Sequence, residues 1–70
     1  MAIVKVIEVL AQSEKSWEDA AQEAVNEASK TIGGIKQVYI KEMQAIVDDN
    51  RIIGYRLNAK ISFVVSEKRQ

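Results

Sequence analysis

Three carboxylates, Asp19, Glu23 and Glu27, follow one another at intervals of four, which sets them on one stripe of a helix where like charges repel. A hard cation takes several oxygen ligands close together, and copies of such a stripe gathered by symmetry would supply them. The residues favour a plainer reading, a solvated acidic face helped near its start by the helix dipole. Asp48-Asp49-Asn50 places three oxygen-bearing side chains in a row but lacks the rest of an EF-hand loop, so it reads as a turn. Glu42 and the aspartates with Lys41 or Lys60 are the groups available for acid–base work, and no spacing among them specifies a reaction. There is no cysteine and no histidine. That removes disulfides, the usual zinc, haem and iron–sulfur ligand sets, and nucleophilic dyads or triads built on either residue. Trp17, Tyr39 and Tyr55 are the aromatic platforms a planar ligand would use. Trp17 continues an apolar helix stripe and reads as a core or interface anchor, and the tyrosines read first as strand residues.

The elements that position these groups show in the periodicity. From Ile53 the odd positions Tyr55, Leu57, Ala59, Ile61, Phe63 and Val65 are apolar, while Arg56, Asn58, Lys60 and Ser62 lie between them. A period of two predicts a half-buried strand over about 52–65. Such a strand runs roughly 40 Å, whereas a helix of about 16 residues reaches only about 24 Å. One helix leaves apolar sheet uncovered, and other copies of the chain are the expected cover.

Upstream, a first strand is expected over about 2–10, with Ile3, Ile7 and Val9 on one face, Val4, Val6 and Leu10 on the other, and partial cover on both. Ala11 to Lys15 reads as a polar connection. Ser16 fits an N-cap, with Asp19 three residues on, and Trp17, Ala20, Ala21, Ala24, Val25, Ala28 and Ile32 recur at helical spacing over about 16–33. Gly33-Gly34 is the expected stop. The mostly alanine face lets the helix lie close inside a curved sheet. A second strand over about 35–47 is irregular, Val38, Ile40 and Ile46 being in one phase and Tyr39, Met43 and Val47 in the other. Either both faces are buried or a bulge changes phase near Glu42 to Ala45. Asp48 to Arg51 turns into the third strand, and Glu67 to Gln70 reads as a frayed tail. The order is β-α-β-β in one α+β domain spanning 1–70.

Seventy residues make a small core, marginal without staples or association. Lysine plus arginine equal aspartate plus glutamate at 10 each, so nothing global points to nucleic acid. Residues 1–35 are acidic and residues 36–70 basic, a complementarity that orients contacts between subunits. No run has the length of a membrane span, and Met1-Ala2-Ile3-Val4-Lys5 lacks a signal-peptide pattern; a cytoplasmic protein is the default expectation.

The run Val4-Lys5-Val6-Ile7-Glu8-Val9, the segment SEKSWEDAAQEAV from Ser13 to Val25, Ala28-Ser29-Lys30-Thr31-Ile32, and Tyr55 with Ile61-Ser62-Phe63 together resemble the dodecin family over nearly the whole chain. The resemblance implies a three-stranded antiparallel sheet partly wrapped around one helix, and twelve copies in a hollow homododecamer. It implies a small-molecule ligand, in that family a flavin (FMN, FAD or riboflavin). Flavin-binding members place a stacking tryptophan early in the second strand and a hydrogen-bonding glutamine in the third, and the matching positions are Gln37 and Arg56. Gln37 has no ring face, and Arg56 donates but does not accept hydrogen bonds, although a guanidinium stacks on rings and pairs with phosphate. Weak or no flavin binding is the expectation. Ser16-Trp17-Glu18 is similar to a branch of the family for which calcium binding has been proposed; its metal ligands do not transfer residue by residue, and Asp19, Glu23 and Glu27 are candidates for calcium on their helical spacing alone.

The reading is a non-enzymatic homo-oligomer that binds or stores a small ligand. The alternatives are a calcium-binding or purely structural assembly, and a subunit docking on another protein through its uncovered sheet.

Overall fold

The strand with the cleanest alternation occupies the centre of the sheet. The computed structural model describes residues 3–66, and the chain forms β1 (Ile3–Ser13), α1 (Trp17–Ser29), β2 (Ile35–Asp48) and β3 (Arg51–Ser66). All pairing is antiparallel in the order β1-β3-β2. The frayed tail expected at Glu67–Gln70 and the strand start expected at Ala2 lie outside the described residues.

Register fixes which residues share a face, because opposed residues of an antiparallel pair point the same way. Val9 and Ile40 flank Ala59, and Ile7 and Val38 flank Ile61, on the face toward α1. Leu57, Ala59 and Ile61 are buried there beneath Ala20 and Ala24 of the helix. Ala20 and Ala59 are both fully buried: two side chains of one carbon each let the helix approach the central strand closely. Trp17 closes one end of this core. Its ring meets Tyr55 edge-on at a centroid distance of 4.8 Å, a favoured aromatic geometry, and its Nε1 donates to the Gln44 carbonyl at 3.0 Å.

The helix starts as its sequence dictates. Ser16 is extended, and its Oγ accepts from the Asp19 amide at 2.9 Å. It ends earlier than residue 33, because Ser29 Oγ bonds back to the Asn26 carbonyl and Lys30 and Thr31 donate to carbonyls three residues earlier, Glu27 and Ala28, tightening the last turn. Val25 and Ile32 stay half-buried. The glycine pair serves the next element instead. Gly34 has φ +74, and a Cβ there would stand 3.2 Å from the Val64 carbonyl oxygen, so this position requires glycine for both reasons.

Two other expectations are corrected. β1 continues through the segment read as a connection, because Ala11 and Ser13 pair with Leu57 and Tyr55 under the helix start. Partial cover of both β1 faces is met on one face only: Val4, Val6 and Leu10 are exposed, Leu10 at 71%, since a single protomer has no second layer on that side. Of the two alternatives for β2 the bulge holds, with Lys41 left out between Ile40 and Glu42, and further irregularities fall at Ile35/Gln37 and Ile46/Val47. The turn is the two-residue kind, Asp49 and Asn50 having φ 53 and 62, the conformation of a type I′ hairpin.

Ala59→Leu forces a branched side chain between helix and central strand, and overpacking of this kind costs about 1–3 kcal/mol. Urea denaturation followed by circular dichroism should show a loss of that size for Ala59→Leu, and a change near zero for the same substitution at exposed Ala45.

Candidate functional site

The sheet face turned away from the helix carries most of the polar side chains of β3, and its rows are set by register. Arg56 lies between Gln12 of β1 and Gln44 of β2, Asn58 between Leu10 and Glu42, Lys60 between Glu8 and Tyr39, and Ser62 between Val6 and Gln37. Arg56 and Gln37, the two positions expected to meet a flavin, therefore share this face. They do not meet within one protomer. Gln37 sits opposite Ser62, six residues along β3 from Arg56, which is about 20 Å.

Arg56 is half-buried and its Nε donates to Gln12 Oε1 at 3.3 Å. Gln37 is exposed, and its amide has no aromatic plane. Tyr39 stands exposed on the same face beside Lys60, whereas Tyr55 lies on the opposite face against Trp17.

The centre of the polar face holds an ion pair that the sequence reading did not find. Lys41, displaced by the bulge, reaches across β3 to Glu8 of β1, Nζ to Oε2 at 3.0 Å. The hydrogen bond and charge of Lys41 hold the Glu8 carboxyl below its ordinary range, with Lys60 adding a smaller pull. The same bond pushes the Lys41 ammonium up.

The helix stripe separates in function along its length. Asp19 Oδ2 accepts from Ser13 Oγ at 2.7 Å, and Ser13 Oγ also accepts from the Lys15 amide at 2.9 Å, so Asp19 ties the strand end to the helix start. Glu23 is exposed, and Glu27 pairs with Lys30 at 3.2 Å. Among the described residues no three acidic side chains gather closely enough to hold a metal ion, so a cation site on this stripe requires carboxylates from several copies. Asp48, Asp49 and Asn50 form the hairpin tip.

Beside the helix C-terminus, an apolar cleft of about 310 Å³ opens between α1 and β1, lined among others by Ile7, Val9, Leu10, Ala28 and Ile32, with Glu27 at its edge. Among the described residues no helix is long and apolar enough to cross a membrane.

The Dodecin family model matches residues 3–66. The calcium dodecin of Mycobacterium tuberculosis is 36% identical over 63 residues, covering 90% of this chain and 89% of that protein. A crystal structure of that calcium-chelating protein matches with a TM-score of 0.79 at 32% identity, over 97% of each chain. Two further crystal structures share the fold: a variant of the Thermus thermophilus dodecin, with TM-score 0.88 at 24% identity over 97% of this chain and 100% of that one, and the dodecin of Streptomyces coelicolor, with TM-score 0.88 at 21% identity over 96% of each.

The lowered pKa of Glu8 gives a signed pH dependence. A carboxyl whose pKa is depressed on folding adds stability above its unfolded pKa, and that contribution is lost as pH falls through the folded value. Carbon-detected NMR titration should place the Glu8 midpoint below the ordinary carboxylate range, and Lys41→Gln should return it there.

Proposed function

The chain belongs to the dodecin family, and from that premise we propose that it is a non-enzymatic homo-oligomer, a hollow shell of twelve copies, that binds or stores a small ligand. The observation that carries the reading is the apolar surface one protomer leaves bare. Val4, Val6 and Leu10 on the polar face of the sheet, and Ile52, Ile53 and Val65 beyond the ends of the helix, are each at least half exposed, a distribution that further copies would cover.

Gln37 and Arg56, about 20 Å apart in one protomer, contribute to one ligand only from different copies. Gln37 supplies no ring, and Arg56 is engaged with Gln12. Weak flavin binding is the consequence. Losing one aromatic stack is worth about 1–3 kcal/mol by analogy with bases on protein aromatics, roughly one to two decades of affinity.

A second reading is favoured by similarity to the mycobacterial calcium dodecin. In it the assembly holds calcium, with Glu23 and Glu27 of several copies, and Asp19 where its bond to Ser13 opens, as ligands. Calcium chemistry accepts carboxylates shared between subunits provided enough oxygens converge.

Light scattering on a size-exclusion column is expected to give a twelve-subunit mass with no appreciable monomer, and a folded monomer at micromolar concentration contradicts the reading. For the ligand, Gln37→Trp with Arg56→Gln should strengthen riboflavin binding by roughly one to two decades and quench its fluorescence. Tight riboflavin binding by the native sequence would overturn the assignment of a weakened flavin site. A chelator-induced, calcium-reversible fall in melting temperature that disappears in Glu23→Ala would decide for the calcium reading, since a ligand bound only to the folded state raises stability.

A further inference from the structure

Arg56 and Lys60 stand in the rows of the polar face, and Lys41 reaches across them. Two of these cations share an anion. Lys41 pairs with Glu8 at 3.0 Å, and Lys60, beside Glu8 in register, also pulls on that carboxylate. Among the described residues the ion pairs are this one and Glu27–Lys30, so Arg56 has no carboxylate. Glu42 lies one row away, opposite Asn58, and does not close on it. The guanidinium is nevertheless half-buried and oriented. Its Nε donates to Gln12 Oε1 at 3.3 Å, which leaves the two Nη groups, parallel donors that grip an oxyanion bidentately.

The row around Arg56 is stiff. On the helix side Tyr55 packs edge-on against Trp17 and Leu57 is buried, so the residues before and after the arginine are held in the core. Gln12 sits between buried Ala11 and Ser13. Gln44 is tied from behind, since Trp17 Nε1 donates to its carbonyl at 3.0 Å. The two glutamines flank Arg56 in register, and their amide groups add donors on either side. Supported backbone of this kind preorganises a binding group.

We propose that Arg56, flanked by Gln12 and Gln44, is an oxyanion site, and that the small ligand of this protein is an organic acid or phosphate ester held through it. This rests on the small-ligand reading above and gives that ligand its charge. The two sources share one chemistry, a pair of oxygens set against the guanidinium fork. Arginine only donates hydrogen bonds, which favours an anionic acceptor over a neutral ring edge that must also donate. Lys60, about 13 Å along β3 and beside Glu8, provides the control.

Isothermal titration calorimetry of the assembled chain with sodium benzoate, and separately with inorganic phosphate, at constant ionic strength in chloride, is expected to show one anion per chain. Arg56→Gln should weaken binding by about tenfold or more, and Arg56→Lys, a point charge without the fork, by roughly threefold or more. Lys60→Gln should change it by less than about twofold. Benzoate ahead of phosphate identifies a carboxylate ligand, and the reverse order a phosphate ester. Binding that survives Arg56→Gln, or that falls equally in Lys60→Gln, is general attraction to a basic surface and overturns the proposal. An assembly of native size that binds neither anion also overturns it and leaves the oligomeric reading standing; a lowered urea midpoint in Arg56→Gln would then assign the guanidinium to a carboxylate of a neighbouring copy. A monomeric chain that binds with the same dependence on Arg56 overturns the oligomeric reading and leaves the oxyanion site standing. If Arg56→Gln does not assemble, Arg56→Lys decides, and an unchanged affinity there overturns the proposal.

Discussion

A helix of 13 residues is about 20 Å long and a strand of 16 residues about 50 Å, so α1 shelters less than half of β3. Burial follows that limit. Leu57, Ala59 and Ile61 lie under the helix and are buried, and Ile53 and Val65 on the same alternation are exposed. Among the described residues the buried core holds six apolar side chains, three of them in β3 and four of the six alanine, so the protomer has little hydrophobic stabilisation of its own. The long strand makes sense as part of a larger object, with the helix fixing its middle and neighbouring copies covering its ends.

The same alternation divides the sheet chemically. Every second residue of β3 that avoids the helix, from Arg56 through Asn58 and Lys60 to Ser62, falls on one polar face. That face collects Gln37, Arg56 and the Glu8–Lys41 pair. The bulge is what permits the pair: it takes Lys41 out of the ladder, letting the side chain cross the central strand. A bulge on an edge strand also disturbs the unpaired backbone of β2, which discourages indiscriminate strand addition there.

Much of this was legible in the residues and some was not, for reasons that can be named. The period of two in β3, the Ser16 cap and the Asp49-Asn50 turn are local signals, and each appears where the sequence puts it. The helix end misled because Ile32 continues the apolar spacing, while Ser29 and the tightened Lys30 and Thr31 bonds end the helix first. Ala11 and Ser13 look like loop residues because they are small, and they are small because the helix start lies over them. The bulge showed as a phase change in β2, but only pairing with β3 places it at Lys41. Glu8 and Lys41 lie 33 residues apart in sequence and on strands that do not touch, so no local pattern could join them. Asp19 was readable as one of an acidic stripe, whereas its bond to Ser13 depends on β1 running further than its apolar residues suggest.

The central claim is that the protomer's fold is completed by its neighbours, and folding coupled to association must depend on concentration. The most direct measurement is the urea midpoint of unfolding, followed by tryptophan fluorescence of Trp17, across a hundredfold range of chain concentration. The account predicts a midpoint that rises steadily with concentration and a single transition in which structure and assembly are lost together. A midpoint independent of concentration would contradict it, because that is the behaviour of a protomer stable alone.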